Sequence, residues 1–377
     1  MRTLRRNWLS AAMAIECTIA VVGLALIVAA VSANQAWLDR HFLPSFFIPR
    51  PWYVWIETVV RSAIGTAGAI LVVSRGRLAS IFSRAPRMTV HVVVAAVLAI
   101  VSSDVVLRWV HLRPTEWLLP EQEPRRQDDP LLGWVLAPDR TGRRTISGRS
   151  IEYTIDADGY RVRRAGESTD TGRPTLLFAG ESVMFGEGLT WEESIPAQVS
   201  GMLGVQSANL AVHGYSSDQT YLRLRRELPR FRQPVAIVTI FMTDLFGRNL
   251  DDDRPHLGPG LVWQPATRES RLASLATLLV PYRRDTTVER GIRVTRDVFH
   301  AIVELARARG AAPLVIVPQF GTEDSVQRTI RQRVIGDGIP TVVVALDPGW
   351  RLAWDRHPNA HAAHVMAAVV AARLQTR

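Results

Sequence analysis

The sequence predicts an α/β protein whose parallel sheet carries helices on both faces, with three transmembrane helices before it. Apolar stretches long enough to span a membrane occur only within about the first 110 residues. Further along, short apolar runs alternate with helix-like segments, which is typical of a sheet covered on both faces. A composition of 47% hydrophobic and 21% charged residues suits such a division into a membrane part and a soluble part.

The three apolar stretches run from Leu9 to Val31, from Tyr53 to Val73 and from Thr89 to Val110. Each is close to the length of about 20 residues that crosses the hydrocarbon core. Arginines precede the first stretch and fill the loop between the second and third, so the positive-inside rule places both segments in the cytoplasm. These arginines are Arg2, Arg5, Arg6, Arg75, Arg77, Arg84 and Arg87. The chain beyond about residue 112 is therefore predicted to be extracytoplasmic.

The first stretch has an alternative interpretation as a signal peptide, because Val31-Ser32-Ala33 offers a small-residue cleavage site. The apolar run exceeds the usual signal core of about 7–15 residues, so we expect an uncleaved anchor. Either case leaves the later domain on the same side. Four tryptophans stand where interfacial aromatics belong, namely Trp37, Trp52, Trp55 and Trp109.

Ionisable residues interrupt the three spans: Glu16, Glu57 with Arg61, and Asp104 with Arg108. Such residues inside a membrane raise the hypothesis of a path for a polar or acyl donor group. The simpler interpretation, which we favour, is that they hold the helices to each other or to a partner protein. The last two sets are i,i+4 pairs on one helix face, which lowers the cost of burying them.

The soluble part is predicted to have two sections. Residues 113–172 are polar and rich in proline, with short strand-like runs such as Ser150–Thr154, and form a stalk and β-rich lead-in to the domain of residues 173–377. In that domain strands are predicted at Thr175–Ala179, Ser207–Val212, Val235–Phe241, Pro313–Val317 and Thr341–Ala345, and the clearest helices at Gly291–Arg309 and Pro358–Arg373. Residues 1–112 form the membrane anchor.

Several classes of chemistry are excluded by composition. All 45 Lys+Arg residues are arginine, so there is no P-loop lysine, Schiff base or lysine general base. Cys17 is the single cysteine, which excludes a disulfide framework or a cysteine zinc site. The net charge of +10 is no nucleic-acid signature, because many arginines flank the membrane spans; a basic outer domain near an anionic membrane or acidic glycan fits better. We expect no cofactor.

Four segments at the ends of predicted strands, and at the start of the last helix, carry polar residues suited to catalysis. They are Phe178-Ala-Gly-Glu-Ser182-Val-Met-Phe-Gly-Glu-Gly188, Asn209-Leu-Ala-Val-His-Gly214, Phe241-Met-Thr243-Asp244 and Asp355-Arg-His357-Pro-Asn359. Together they resemble the SGNH (GDSL) hydrolase superfamily over roughly residues 129 to 375. Its bacterial membrane-anchored members have a lead-in similar to Asp129-Pro-Leu-Leu-Gly-Trp134 and Asp158-Gly-Tyr-Arg161.

The resemblance implies a three-layer α/β/α flavodoxin-like domain with a serine nucleophile. Carried over by position, Ser182 is the nucleophile, His357 the general base and Asp355 the carboxylate that orients the imidazole. The oxyanion hole would be formed by the backbone N–H groups of Ser182 and Gly214 and by the side chain at position 243. Asp347 is an alternative partner for the histidine.

The chain departs from the family pattern at three points. Glu181 replaces the usual aspartate, at a position expected to shape the turn, and Thr243 replaces the usual asparagine. Losing one oxyanion donor can cost roughly 2.7–4 kcal/mol of transition-state stabilisation, which leaves open a slow enzyme, another donor or an inactive domain. Asp355 and His357 are two residues apart instead of three, a spacing found in envelope acyl-transfer members of the superfamily.

Two clusters invite a metal interpretation that we do not favour. His357, His361 and His364 have helical spacing but no acidic third ligand, and Asp251, Asp252 and Asp253 with His256 fit a solvated acidic loop better. The long segment from Leu245 to Val288, with Trp263 and the amphipathic run Ser270–Tyr282, is predicted to select substrate. Its alternative is a membrane-facing or partner-docking flap.

The expected function is a membrane-anchored, extracytoplasmic serine esterase that acts on an acyl ester of an envelope glycan or lipid through an acyl-enzyme. Two alternatives stay open. An O-acyltransferase for an envelope polysaccharide would use the same intermediate with another acceptor. A non-catalytic SGNH-like module would bind or assemble with envelope partner proteins, which is the alternative raised by Thr243.

Overall fold

The computed structural model describes residues 2–34, 43–46, 50–109, 122–267, 271–272, 283–353 and 355–376. These residues form two compact units. One contains the N-terminal helices. The other contains the α/β part of the chain together with residues 43–46, which lie in sequence between the first two helices.

The first unit contains the helices α1 (Arg2–Ser32), α2 (Arg50–Arg84) and α3 (Pro86–Trp109). All three are long and apolar enough to cross a membrane, as the sequence predicts. The second is longer than expected, because the arginine-rich segment after Val73 continues the helix instead of forming a loop. Pro86 then begins the third helix, at a position where proline is well tolerated.

Helices α1 and α2 pack closely along a contact of small residues. A Cβ atom on Gly23 would lie 2.8 Å from the carbonyl oxygen of Gly68, so only glycine permits this approach. Two charged groups also join these helices, since Arg75 bonds Glu16 at 3.2 Å and Arg61 donates to the carbonyl of Ala33 at 3.0 Å. These contacts favour the interpretation that the intramembrane charges hold helices together.

Asp104 in α3 bonds a side chain of its own helix and a backbone group from later in the sequence. It pairs with Arg108 at 2.8 Å and accepts a hydrogen bond from the backbone N–H of Leu272 at 3.1 Å. Of the predicted interfacial tryptophans, Trp52, Trp55 and Trp109 are exposed, and Trp37 lies outside the described residues.

The second unit begins with the lead-in strands. A small hairpin, β1 (Arg126–Asp129) with β2 (Gly133–Leu136), is followed by β3 (Arg140–Ile146), β4 (Arg149–Ile155) and β5 (Arg161–Val162). The last three are antiparallel to their neighbours, and β5 pairs with the domain's own sheet at Asn209. The lead-in therefore extends the sheet of the α/β domain.

The parallel strands are β6 (Pro174–Phe178), β7 (Gln206–Asn209), β8 (Gln233–Ile240), β11 (Ala312–Phe320) and β12 (Thr341–Leu346), with a short hairpin of β9 (His256–Leu257) and β10 (Trp263–Gln264) between β8 and β11. The whole sheet has the order β12-β11-β8-β6-β7-β5-β4-β3. Its parallel part has the flavodoxin-like order 2-1-3-4-5. Strand β7 lies on one side of β6 and the later strands β8, β11 and β12 lie on the other, so the strand order reverses at β6. Folds of this kind bind ligands at such a point.

The helices of this unit are α4 (Ser182–Phe185), α5 (Ile195–Leu203), α6 (Ser217–Glu227), α7 (Asp285–Ala308), α8 (Ser325–Val334) and α9 (Ala360–Gln375). Helix α5 packs against α9, and α7 packs against both α6 and α8. Reciprocal capping boxes, Ser216 with Gln219 and Asp324 with Gln327, fix the starts of α6 and α8. The predicted three-layer α/β/α class is confirmed.

Arg161 attaches the lead-in to the turn that follows the first parallel strand. Its side chain is 1% exposed and donates to the backbone carbonyls of Phe185, Gly186 and Leu189 at 2.7, 2.9 and 2.7 Å. Burial lowers the pKa of this guanidinium to about 10, so it stays charged at neutral pH. One buried arginine thus bonds three carbonyls of the turn. Gly186 also accepts from the N–H of Leu189 at 3.1 Å and Phe185 also accepts from Asn209 at 3.2 Å, whereas Leu189 accepts from Arg161.

We expect Arg161→Met to lower the free energy of unfolding by about 1–3 kcal/mol, because the carbonyl of Leu189 loses its donor and a buried acceptor left without a partner costs about that much. Denaturant unfolding of the full chain in detergent measures the change. Arg163→Met is the matched control, since Arg163 and its partner Glu192 are both 59% exposed and the change should stay within about 0.5 kcal/mol. Equal midpoints for the two variants would contradict this role of Arg161.

Candidate active site

The nucleophile candidate, Ser182, lies at the tight turn from β6 into the short helix α4. A Cβ on Gly180 would lie 2.7 Å from Ile240 and 2.8 Å from Met184, so the turn requires glycine there. Glu181 caps the helix by accepting from the N–H of Val183, and Gly186 ends it in the left-handed region with φ of 84°. This geometry presents the Ser182 hydroxyl at the carboxyl end of the sheet.

The structure brings together the three residues predicted to form a triad. The Ser182 hydroxyl lies 2.7 Å from Nε2 of His357, and Asp355 is in hydrogen-bond contact with Nδ1 of the same ring. Asp355 also accepts from the backbone N–H of His357 at 3.0 Å, so the two-residue spacing is compatible with the contact. Asp347, the alternative partner, accepts from Gly349 instead.

The surroundings favour a charged histidine paired with an ionised carboxylate. Burial lowers the pKa of His357, but the carboxylates of Glu187 and Asp355 outweigh it and hold that pKa above its usual value. Burial raises the pKa of Asp355, but its hydrogen bonds with His357 outweigh burial and lower it below the usual value. The imidazole therefore has the increased basicity that a proton acceptor for a serine needs.

Glu181 contacts the candidate nucleophile, Ser182, directly, which the sequence analysis did not anticipate. Its carboxylate lies 2.8 Å from the Ser182 hydroxyl and 2.8 Å from the N–H of Val183. A hydroxyl has one hydrogen, so Ser182 donates either to Glu181 or to His357 at any moment. An aspartate side chain is one methylene shorter than a glutamate side chain. The longer side chain of Glu181 is the feature of the sequence that could have indicated this contact.

The three oxyanion candidates follow β6, β7 and β8, which are neighbours in the sheet. Among the described residues, the backbone N–H groups of Ser182 and Gly214 have no hydrogen-bond acceptor, so both can serve a substrate. The carbonyl of Gly214 accepts from the buried Arg254 at 2.6 Å, which fixes this peptide. Thr243 is buried and begins a 3₁₀ helix.

A small polar cleft opens beside Thr243, at the ends of β8 and β11. It is lined by Met242, Thr243, Asp244, Pro318, Gln319, Phe320, Gly321, Thr322, Glu323 and Gln327. Burial raises the pKa of Asp244 above its usual value, and Gln327 donates to its carboxylate at 2.6 Å. The cleft combines amide, hydroxyl and carboxylate groups with an aromatic ring.

Phe46 reaches the site from the segment between the first two membrane helices. It is 2% exposed, and its ring meets the His357 ring edge-on with centroids 5.0 Å apart. The guanidinium of Arg351 lies over both Phe46 and Phe320, at 5.6 and 3.8 Å from the ring centroids. No local pattern connects residue 46 with residue 357, so sequence analysis missed this contact.

The residues considered as metal ligands have other partners. His361 packs edge-on against Trp350 at 4.2 Å, and His364 lies 2.7 Å from Gln198. Within the part of the chain that the structure describes, no group of three or more His, Cys, Asp or Glu side chains could hold a metal. Asp251 pairs with the buried Arg254 at 2.9 Å, and Asp252 lies 3.5 Å from His256.

The structure describes residues 245–267, 271–272 and 283–288 of the predicted substrate-selecting segment. Leu257 donates to Asp218 at 2.8 Å, and Trp263 donates to the carbonyl of Leu131 at 3.1 Å, so its hairpin is bonded to α6 and to the lead-in. Most of the amphipathic run Ser270–Tyr282 lies outside the described residues. Both of its interpretations stay predictions.

Comparison with known proteins finds similarity in structure but not in sequence. No family model matches the chain, and no curated protein does. A member of the lipolytic protein G-D-S-L family from Veillonella parvula is 15% identical, with a TM-score of 0.31, over 54% of this chain and 98% of that one. A carbohydrate acetylesterase family member from Sinorhizobium meliloti is 10% identical, with a TM-score of 0.35, over 54% of this chain and 98% of that one.

An acetyl xylan esterase from the rumen bacterium Butyrivibrio proteoclasticus is also similar, with 10% identity and a TM-score of 0.34 over 56% of this chain and 65% of that one. G-D-S-L lipolytic proteins and carbohydrate acetylesterases are thus among the structures to which this chain is similar. At these identities and TM-scores the similarities decide nothing about reaction or substrate. Those depend on the geometry of Ser182 and its neighbours.

We expect Phe46→Ala to slow the reaction of Ser182 with a serine-directed phosphonate probe by about 3- to 10-fold, because an edge-on aromatic pair contributes about 0.5–1.5 kcal/mol to holding the imidazole. The rate of probe labelling in detergent measures the effect. Phe46→Leu keeps most of the side-chain volume, so its labelling rate should lie between those of Phe46→Ala and the parent. Trp52 is 62% exposed, and Trp52→Ala should react at the rate of the parent. An unchanged rate in Phe46→Ala would show that the ring does not support His357.

Proposed function

We propose that this chain is a membrane-anchored serine esterase that acts outside the cytoplasm on an acyl ester of an envelope glycan or lipid. The observation that carries the proposal is the hydrogen-bonded chain from Ser182 through His357 to Asp355. Asp355 orients the imidazole, and the imidazole removes the proton that makes a serine hydroxyl a poor nucleophile. Ser182, 2% exposed, and His357, 7% exposed, are shielded from bulk water, which strengthens these interactions.

The reaction proceeds in two transfers. The Ser182 oxygen attacks the ester carbonyl carbon while its proton passes to Nε2 of His357, and the tetrahedral intermediate collapses to an acyl-enzyme as the alcohol leaves with that proton. Water then attacks the acyl carbon and gives its proton to Nε2. Ser182 regains the proton as the carboxylic acid departs. The N–H groups of Ser182 and Gly214, with Thr243, are the proposed donors to the oxyanion.

The proposed location follows from the three candidate membrane helices and the arginine distribution, which favours an extracytoplasmic second unit. An acylated carbohydrate suits the polar cleft beside Thr243, whose amide, hydroxyl and carboxylate groups can bond sugar hydroxyls. The net charge of +10 suits an anionic membrane surface or an acidic glycan. We also propose that the chain associates with partner proteins of the envelope.

Transfer of the acyl group to a glycan hydroxyl is the second candidate function. The low exposure of Ser182 and His357 favours it, because a shielded acyl-enzyme survives long enough to meet an acceptor other than water. The two-residue spacing of Asp355 and His357 also resembles envelope acyl-transfer members of the superfamily.

A serine-directed fluorophosphonate should label the full chain in detergent, and Ser182→Ala should abolish the labelling. Asp355→Asn should slow it by about 10²–10⁴-fold, because the imidazole loses the group that fixes its tautomer. Ser325→Ala, an exposed serine at the start of α8, is the matched control and should label like the parent. If the parent does not react while a control esterase does, the domain is a non-catalytic binding or assembly module.

With an acetyl ester as donor, we expect acetate release at a rate that added glycan acceptors do not change, since water is the proposed acceptor. Product analysis should find the acetyl group in acetate and none on the glycan. Ser182→Ala should abolish acetate release and thus serves as the background control. Acetylated glycan formed at the expense of acetate would replace the esterase by the transferase.

A further inference from the structure

A second carboxylate, that of Glu187, faces the histidine of the site from the side of the nucleophile. Glu187 is 4% exposed, and its Oε2 lies 3.7 Å from Nε2 of His357, the nitrogen that contacts Ser182. Its backbone N–H donates to the carbonyl of Ser182 at 2.9 Å, so the two residues share one turn. Gly186 and Gly188, both with positive φ, flank it and produce the reversal that turns Glu187 inward.

Arg144, in the lead-in strand β3, holds this carboxylate in place. Its guanidinium donates to Oε1 of Glu187 at 2.5 Å and is 20% exposed. With one oxygen bound to Arg144, the other is left facing the imidazole. The lead-in therefore contributes a charged side chain to the site, in addition to extending the sheet.

Other charged and titratable groups act on Glu187 and His357 from the surrounding elements. They are Asp355 in the loop before α9, Glu181 at the start of α4, His213 after β7, Arg161 in β5 and Tyr153 in β4. His213 is neutral, because burial lowers its pKa to about 3, and Tyr153 is neutral, because burial raises its pKa to about 12. Three carboxylates thus surround one imidazole.

We propose that Glu187, held by Arg144, is a positioning residue that stabilises the positive charge formed on His357 when Ser182 gives up its proton. This inference rests on the proposed function. At 3.7 Å from Nε2, Glu187 is too distant to accept the proton in a hydrogen bond, so it acts through its charge. Asp355 stabilises the same charge from the opposite edge of the ring, at Nδ1.

The charge states agree with this role. Burial raises the pKa of Glu187, but the positive charges of His357 and Arg144 oppose burial, and the pKa stays below its usual value. Glu187 is thus ionised where His357 titrates. The charge of Glu187 is the largest single interaction that raises the pKa of His357, and Asp355 raises it both through a hydrogen bond and through its charge. Removing the negative charge of Glu187 should therefore favour the neutral imidazole.

The test is the rate of fluorophosphonate labelling of the full chain between pH 5 and 9 for the parent, Glu187→Gln and Arg144→Gln. The base must be neutral to react, so labelling falls as pH drops through the pKa of His357. Glu187→Gln lowers that pKa and should move the acid limb to lower pH by about one unit, with a slower plateau because the base is weaker. Arg144→Gln leaves the charge of Glu187 uncompensated and should move the limb to higher pH.

Glu193→Gln is the matched control. Glu193 joins the same turn to the lead-in through Arg149 at 2.8 Å, but has no contact with His357, so its profile should coincide with that of the parent. The opposite directions expected for Glu187→Gln and Arg144→Gln separate a charge effect from loss of structure. Shifts in the same direction, or profiles that superimpose on the parent, would overturn the role of Glu187. A parent that never reacts would instead refute the proposed function.

Discussion

The hydrogen bond between Ser182 and His357 joins residues 175 positions apart. The rest of the domain must therefore bring these two segments to the same edge of the sheet. Ser182 follows the first parallel strand, and His357 precedes the last helix. Both reach one edge because all five parallel strands present their carboxyl ends there, and the strand order changes direction next to β6. The short turn after β6 then has to hold a hydroxyl within 2.7 Å of an imidazole, which requires glycine at position 180.

Buried arginines hold several turns of the domain, two of them next to the proposed site. Arg161 bonds three carbonyls of the turn after α4, Arg254 fixes Gly214 at 2.6 Å, and Arg223 donates to Gly159 at 2.8 Å. All three are 2% exposed or less. A planar guanidinium with five donors can satisfy several carbonyls at once, which a lysine ammonium does less well. In a chain without lysine, arginine therefore supplies both the positive surface charge and the hydrogen bonds that hold these turns in place.

The sequence predicted the elements and missed several contacts between them. The strands, the last two long helices and the grouping of Ser182, His357 and Asp355 could be predicted, because each depends on local apolar patterns or on a short motif. Phe46 could not, since its contact with His357 joins segments about 300 residues apart without any periodic signal. Arg161 and Glu187 stood inside recognised motifs, but their roles depend on which carbonyls and charges the fold brings to them.

The contact between Glu181 and Ser182 bears on how the proposed nucleophile would be activated. The Ser182 hydroxyl lies 2.8 Å from Glu181 and 2.7 Å from Nε2 of His357, and its single hydrogen can serve only one of them. When the imidazole is protonated, Nε2–H donates to the Ser182 oxygen and the hydroxyl donates to Glu181. When it is neutral, the hydroxyl can turn toward Nε2, where its proton has to go. The carboxylates that raise the pKa of His357 therefore have two opposite effects. They make the imidazole a stronger base, and they widen the pH range in which the imidazole is protonated and the Ser182 hydroxyl donates to Glu181 instead.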